Sequence, residues 1–228
     1  MSNFSVFIIE SVQPDDLLVG RTEGRLLQAG LALIGLQCEY RLAVDPSTLG
    51  KSIGQFLRHA QASESFPILH LSVHGNEDGI VLTSGVHFDW QSLRELLLPV
   101  NRVLGGNLFL SLSACHGASG CQMAMSTETD LPYRGLLSHF GPVGFADAAV
   151  AYTVFYHRLA MDARFDGAIT SMRAAVDDQN FALLQGDETQ KLFQTKFKRA
   201  IAEIQAAEQQ VQARAEAAEP PTPPEAAV

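Results

Sequence analysis

The sequence predicts an α/β fold, in which a mostly parallel sheet is flanked by helices on both faces. Short apolar runs of strand length alternate along the chain with amphipathic helical segments. One of these runs, residues 68–74 (ILHLSVH), is almost continuously apolar, as expected for a parallel strand buried on both faces. The 228 residues, 46% hydrophobic and 18% charged, also have the composition of a globular protein with a single large core.

The first part of the chain predicts two strands and two helices. Residues 5–12 (SVFIIESV) form an apolar, β-branched run that ends at a Pro-Asp-Asp turn, which is typical of a buried strand. Thr22 can cap the helix that follows, before a second strand near residues 37–44. Pro46 then begins another helix, which we expect to reach about residue 62.

The middle of the chain predicts a hairpin, a helix and a further strand. Residues 80–82 and 86–88 are two short apolar runs separated by Thr-Ser-Gly, a pattern that indicates a small hairpin. Asp89 can cap a helix that extends to about residue 98. The apolar run at residues 107–113 (NLFLSLS) follows two glycines and predicts a strand that leads directly into Ala-Cys-His-Gly.

The last part of the chain predicts one more strand and several helices. Residues 142–146 are interpreted as a short fifth strand, followed by a helix. We therefore expect one domain over residues 1–186. A long helix over residues 187–218 follows, because this stretch lacks Gly and Pro and is rich in Ala, Gln, Glu and Lys. Residues 219–228 contain four prolines and little to bury, which predicts a disordered tail.

The predicted C-terminal helix carries a stripe of apolar residues along one face. Such a stripe can pack on the parent domain, or it can bind a regulatory protein partner. The sequence alone leaves both alternatives open. The residues of the stripe are Phe193, Phe197, Ile201, Ile204 and Val211.

Charge and hydropathy argue against two classes of partner. Sixteen Lys and Arg against 25 Asp and Glu give a formal charge of −9, which disfavours binding to nucleic acid. No apolar run approaches the length of a membrane-spanning helix, and the first ten residues lack the features of a signal peptide. We therefore expect a cytoplasmic protein without membrane contact. Three cysteines at no zinc-like spacing predict reduced thiols rather than a disulfide framework or a metal site.

Two residues with catalytic potential follow predicted strands. His74 ends one apolar strand and Cys115 follows another, and in open α/β sheets the carboxyl ends of parallel strands form the reactive edge. A cysteine is nucleophilic as a thiolate, and its ordinary pKa of about 8.5 leaves little thiolate at neutral pH. An imidazole nearby can accept the thiol proton and later donate a proton to a leaving amine. The spacing alone is weak evidence for such a pair, because a buried structural cysteine is the commoner case.

Glycines next to this pair indicate close approach of the backbone. Gly75 follows His74, and Gly117 lies two residues after Cys115. The backbone N–H groups of Gly75 and Cys115 are candidates for stabilising the oxyanion of a tetrahedral intermediate. The helix expected after Cys115 also favours negative charge at the sulfur.

The segments around both residues resemble a known family. ILHLSVHGNEDGIVL and NLFLSLSACHGASG are similar to the two hallmark segments of the caspase-like cysteine peptidases, which include caspases, metacaspases, separase and the bacterial CHAT domains. In that family one apolar strand ends in His-Gly, and a second ends in a small residue and Cys. A third segment, PVGFADAAVAYTVFYHRLAMDARFDGAITSMRAA, resembles the CHAT pattern of a strand, an acidic turn and two helices. The resemblance covers residues 68–175, about half of the chain.

The resemblance implies a caspase-like fold and hydrolysis of peptide bonds in a protein substrate. Cys115 is then the nucleophile and His74 the general base and acid, with no metal or other cofactor. It also implies a limited set of targets, in a bacterial defence or cell-death system.

Two other classes of function remain open. The first is a catalytically silent CHAT-like interaction module, against which the presence of both His74 and Cys115 argues. The second is a cysteine-dependent acyl-transferring hydrolase, for which a Gly-x-Cys-x-Gly elbow is expected; SACHG does not match it.

The resemblance also suggests residues that contact the substrate. Ser113 lies two residues before Cys115, where metacaspases carry an acid that receives a basic side chain. Separase-like and CHAT-like members instead carry an acid after the next strand, close to Asp147. Asp147 is thus predicted to line the first specificity pocket and to favour Arg or Lys before the scissile bond, although an aspartate suits a helix N-cap equally well. His116 is expected to shape the pocket, because adjacent side chains diverge.

Overall fold

The computed structural model describes residues 4–162 and 164–218. Within these residues eight strands and seven α-helices confirm the predicted α/β class. The strands are β1 (Phe4–Ser11), β2 (Cys38–Leu42), β3 (Phe66–Asn76), β4 (Gly79–Val81), β5 (His87–Asp89), β6 (Phe109–Ser113), β7 (Gly135–His139) and β8 (Phe181–Gln185). The helices are α1 (Pro14–Leu18), α2 (Glu23–Leu33), α3 (Pro46–Ala62), α4 (Trp90–Val103), α5 (Phe145–Asp162), α6 (Phe165–Val176) and α7 (Gly186–Ala218).

Six strands form the main sheet in the order β2-β1-β3-β6-β7-β8. The first five strands in this order are parallel, and β8 is antiparallel to β7. The remaining strands, β4 and β5, form an antiparallel hairpin with the end of β3. The prediction of a mostly parallel sheet is therefore confirmed. The carboxyl ends of five parallel strands consequently lie along one edge, where α/β proteins place their reactive groups.

Two apolar layers cover the two faces of the sheet. Along β1, Phe7 and Ile9 pack in the layer that contains α3 and α4, whereas Val6 and Ile8 pack in the layer that contains α2, α5 and α6. Successive side chains of a strand point to opposite faces, so one apolar run supplies both layers. Each of these side chains is at most 1% exposed, and full burial of such a side chain stabilises the fold by about 1.5–3 kcal/mol.

Aspartate side chains cap the starts of two helices. Asp45 accepts a hydrogen bond from the Thr48 N–H at 2.7 Å, and Thr48 completes a capping box at the start of α3. Asp89 accepts from the Ser92 N–H at 2.7 Å and caps α4, as predicted. The helix α4 continues to Val103, beyond the predicted end near residue 98.

The predicted strand at residues 142–146 is wrong. These residues form a loop and the first turn of α5, since Pro142 has no N–H for a sheet ladder and Gly144 lies at the helix start. The strand that pairs with β6 on this side of the sheet is instead β7, whose five residues are all buried. The edge strand β8 had no counterpart in the prediction.

The long C-terminal helix is present as α7 and begins one residue before the predicted start. Its first turns contact the rest of the molecule through Gln190 and Gln194, whose side-chain amides donate to the backbone carbonyls of Glu128 and Ser126. The predicted apolar stripe packs only at its beginning, because Phe193 is half-buried whereas residues 195–210 are all exposed.

The later part of the stripe is open to solvent. Phe197 is 44% exposed and Ile204 is 55% exposed, so packing on the parent domain does not account for them. The side chain of Val211 and the predicted tail at residues 219–228 lie outside the described residues. None of the helices in the described part of the chain is both long enough and apolar enough to cross a membrane.

Candidate active site

His74 and Cys115 come from adjacent parallel strands at the same edge of the sheet. The pairing of β3 with β6 places Ser72 opposite Ser113. His74 lies two residues beyond Ser72, and Cys115 lies two residues beyond Ser113. His74 still belongs to β3, whereas Cys115 lies in the turn directly after β6.

Both reactive side chains line one cavity. Its volume is about 190 Å³, and its lining also includes Glu23, Ser72 and Ser113. His74 and Cys115 are each partly accessible rather than sealed in the core. A substrate can therefore approach both groups from solvent through the same opening.

Gly75 brings the two loops into direct contact. A Cβ atom at this position would lie 2.9 Å from the carbonyl oxygen of Cys115 and 3.0 Å from the Cβ of Ala114. Glycine is therefore required at this position because the two backbones approach each other closely. The proposed oxyanion role of the Gly75 and Cys115 N–H groups stays a prediction.

The sulfur of Cys115 rests against the loop that follows β7. The Val143 N–H donates to Sγ at 3.4 Å, and the thiol donates to the Val143 carbonyl at 3.6 Å. One backbone residue therefore offers the sulfur both a donor and an acceptor. Among the described residues, Val143 supplies the hydrogen-bond partners of Sγ; His74 is not one of them.

A buried histidine fixes this loop. His139 is 2% exposed; its Nε2 lies 2.9 Å from a carboxylate oxygen of Asp178, and its Nδ1 lies 2.8 Å from the Gly141 carbonyl. Hydrogen bonds from the Asn180 backbone and from His139 lower the pKa of Asp178. The His116 N–H also donates to the Gly141 carbonyl at 2.9 Å. The sequence-based analysis missed this support, because its residues are far apart along the chain.

The segment after Cys115 differs from the α-helix that was expected. His116 adopts a left-handed conformation with φ of 54°, and a 3₁₀ helix follows over Gly117–Ala124. The left-handed residue turns the chain sharply at the end of β6, a strained geometry often found at functional sites. The His116 ring lies 3.8 Å from the Glu77 carboxylate, outside the lining of the cavity.

A buried acid, Glu23, lies on the floor of the cavity. It is 3% exposed, and one of its oxygens accepts hydrogen bonds from Ser72 at 2.7 Å and from Ser113 at 2.9 Å. Its other oxygen, Oε1, has no hydrogen-bond partner among the described residues and lies 3.5 Å from Nε2 of His70. Ser113 thus reaches the cavity, as expected, but as a donor to an acid that the sequence-based analysis missed.

Neighbouring groups hold Glu23 in place. The Gly24 N–H and the Tyr40 hydroxyl donate to Glu10, each at 2.8 Å, which fastens the start of α2 to β1. Burial raises the pKa of Glu10. On the far side His70 is fully buried, and its Nδ1 lies 2.8 Å from the Tyr156 hydroxyl.

Asp147 is not brought to the cavity. It is exposed in the first turn of α5, eight residues after the end of β7, and it does not line the cavity. A Cβ built on Gly144 would lie 2.8 Å from its carboxylate, so the side chain turns back to the helix start. An acid in the first turn interacts favourably with the helix dipole, but Asp147 is the third residue of α5, so the alternative of an N-cap is also wrong.

The other two thiols are in environments that suppress reactivity. Burial, with a contribution from Glu39, raises the pKa of Cys38 to about 12. Burial also raises the pKa of Cys121. Both thiols are therefore protonated at neutral pH and poor nucleophiles.

Comparison with known proteins does not assign this chain to a family. No protein-family model matches the chain, and no curated protein matches it. Within the part of the chain that the structure describes, no group of three or more His, Cys, Asp or Glu side chains could hold a metal ion.

Proposed function

We propose that the protein is a cysteine endopeptidase with Cys115 as nucleophile and His74 as general base and acid. The observation that supports this most strongly is that both side chains line the same accessible cavity, at the carboxyl ends of neighbouring parallel strands. The close contact at Gly75 supports it further, because it holds the two loops at a fixed separation.

The first step forms an acyl-enzyme. His74 takes the proton of the Cys115 thiol, and the sulfur attacks the carbonyl carbon of the scissile peptide bond. Backbone N–H groups of Gly75 and Cys115 stabilise the oxyanion, where loss of one such donor typically costs about 3 kcal/mol. The C–N bond then breaks, His74 gives its proton to the leaving amine, and a thioester remains on Cys115.

The second step releases the acid product. His74 removes a proton from a water molecule, and the resulting oxygen nucleophile attacks the thioester carbon. The C–S bond breaks, the new carboxylate leaves, and Cys115 regains its starting state. The Val143 N–H donates a hydrogen bond to the sulfur that departs in this step.

Mapping of new protein termini tests this proposal. Wild type and Cys115→Ala are expressed side by side in the same cells, and new N-termini are identified by mass spectrometry. We expect a small set of termini in the wild-type sample that is absent from the variant. Identical termini in both samples contradict a peptidase and favour the silent interaction module.

A further inference from the structure

We propose that the exposed part of α7 binds the α7 helix of a second copy of this chain, as an antiparallel pair of helices that joins two molecules into a dimer. The interface is the apolar stripe beyond Phe193, and the inference does not depend on the proposed peptidase activity. All side chains over residues 195–210 are exposed, so the body of the same molecule leaves this part of α7 uncovered. At 1.5 Å per residue the exposed part is about 22 Å long, or roughly four helical turns.

The spacing of the stripe is that of a helix that packs against another helix. Phe197 and Ile204 are seven residues apart, and an alanine follows each of them by three residues, at Ala200 and Ala207. These intervals form the two seam positions of a heptad, which keep one face of a helix towards a partner helix. The stripe therefore has the pattern of a helix–helix contact, although its side chains are exposed in the single molecule.

Side-chain size along the seam favours a second copy in antiparallel orientation. When the two helices run antiparallel about residue 202, near the middle of the exposed part, Phe197 of one copy lies opposite Ala207 of the other. Ile204 lies opposite Ala200 in the same way. Every layer of the seam then combines one large and one small side chain, as interdigitated packing requires. A parallel pair in register would place Phe197 against Phe197 and Ala200 against Ala200, which alternates crowded layers with gaps.

The charges along α7 also favour the antiparallel orientation. Residues 191–199 contain four cations and no acid, whereas residues 200–210 contain two acids and no cation. Antiparallel pairing places the basic half of each helix alongside the acidic half of the other, whereas a parallel pair would place like charges together. Arg199 already pairs with Glu203 within its own helix, so the attraction between copies is modest. The cations are Lys191, Lys196, Lys198 and Arg199, and the acids are Glu203 and Glu208.

Such a pair is a closed dimer of limited affinity. The same surface of each copy meets the other, so the two chains satisfy each other and no filament forms. The exposed seam spans only two heptads, and it is small beside the interfaces of permanent dimers, which bury about 2,000 Å² or more. We therefore expect reversible association with a dissociation constant of about 10 µM.

Sedimentation velocity of the full chain tests the dimer. With a dissociation constant of about 10 µM, the share of chains in dimers should rise from about 15% at 1 µM to about 80% at 100 µM. A double variant, Phe197→Glu with Ile204→Glu, should stay monomeric throughout, because a charge buried in the seam has no partner. Leu192→Glu is the matched control, since Leu192 is exposed on α7 but lies off the stripe, and it should dimerise as wild type does.

Two outcomes of this experiment overturn the inference. A wild type that stays monomeric at 100 µM leaves the stripe to a different protein, and a dimer that persists in the double variant places the interface elsewhere. Circular dichroism checks that the variants keep the helix content of wild type. Neither outcome concerns cleavage, so the peptidase proposal stands or falls separately.

Cross-linking between single introduced thiols tests the orientation and leaves the stripe intact. Lys196→Cys and Gln210→Cys are made separately in a Cys115→Ala background, and the two variants are mixed at 100 µM. Both positions are exposed and flank the seam on the same side. Along the helix axis they lie about 3 Å apart in the antiparallel pair and about 21 Å apart in a parallel one.

We expect a short bismaleimide to link position 196 of one copy to position 210 of the other in this mixture. The Cys115→Ala protein without either introduced thiol is the control and should give no linked dimer. Absence of the link between positions 196 and 210 overturns the antiparallel pair, whatever the oligomeric state.

Discussion

Replacement of Cys115 by alanine is expected to lower kcat/KM for peptide hydrolysis by about 10⁴-fold or more. The variant has no atom that can form the acyl-enzyme, and residues that act as one catalytic unit give losses of this size or larger when removed singly. His74→Ala is expected to lose about 10³-fold, since general acid–base catalysis typically contributes 10²–10⁴-fold. The measurement is steady-state cleavage of a peptide that spans one of the newly mapped termini.

Cys121→Ala is the matched control for the loss of a thiol. Burial raises the pKa of Cys121, and the cavity lining does not include it, so its removal should leave kcat/KM within threefold of wild type. A Cys115→Ala variant that retains more than a few per cent of activity would contradict the assigned nucleophile. Loss of activity in a Cys121→Ala variant that still folds would indicate that Cys121, and not Cys115, is the nucleophile.

Gly75→Ala is expected to lower kcat/KM by about 100-fold while the protein remains folded. The added Cβ would lie 2.9 Å from the Cys115 carbonyl oxygen and 3.0 Å from the Cβ of Ala114, and neither atom can swing away as a flexible side chain does. The loops of His74 and Cys115 must then separate by several tenths of an ångström or more. Displacement of catalytic groups by about 1 Å can cost this much in rate.

Gly50→Ala is the control that separates the effect of the close contact at Gly75 from the general effect of replacing glycine by alanine. A Cβ at Gly50, within α3, meets no atom within 4 Å. This control should keep full activity and gain about 0.5–1 kcal/mol in the free energy of unfolding, because alanine favours the helix. Urea titration of both variants gives the stabilities. Wild-type kcat/KM in Gly75→Ala would contradict the close approach as a requirement for catalysis.

The sequence predicted the parts of the fold that have local signals. Apolar runs of strand length identified β1, β3 and β6, and Pro46 and the capping residue Asp89 identified the starts of α3 and α4. The same reasoning failed at residues 142–146, where an apolar composition was interpreted as a strand despite Pro142 and Gly144. It also missed β8, an edge strand that pairs antiparallel with β7 and contacts α6.

The residues of the candidate site were also only partly predictable from the sequence. His74 and Cys115 each follow an apolar strand and stand beside glycines, so their shared edge could be expected from the sequence. Glu23 could not be found by these signals, because it stands at a helix start that resembles any acidic first turn. Its carboxylate is held at the cavity by hydrogen bonds from Ser72 and Ser113, which lie 49 and 90 residues away along the chain.

Alkylation kinetics of the three thiols, followed residue by residue with mass spectrometry, test most directly whether His74 activates Cys115. At pH 7 we expect iodoacetamide to modify Cys115 at least tenfold faster than Cys38, whose pKa of about 12 keeps it protonated, and than Cys121. In His74→Ala the rate at Cys115 should fall to that of an ordinary thiol at the same pH. An unchanged rate at Cys115 in His74→Ala, or equal modification of all three thiols in wild type, would contradict the catalytic pair.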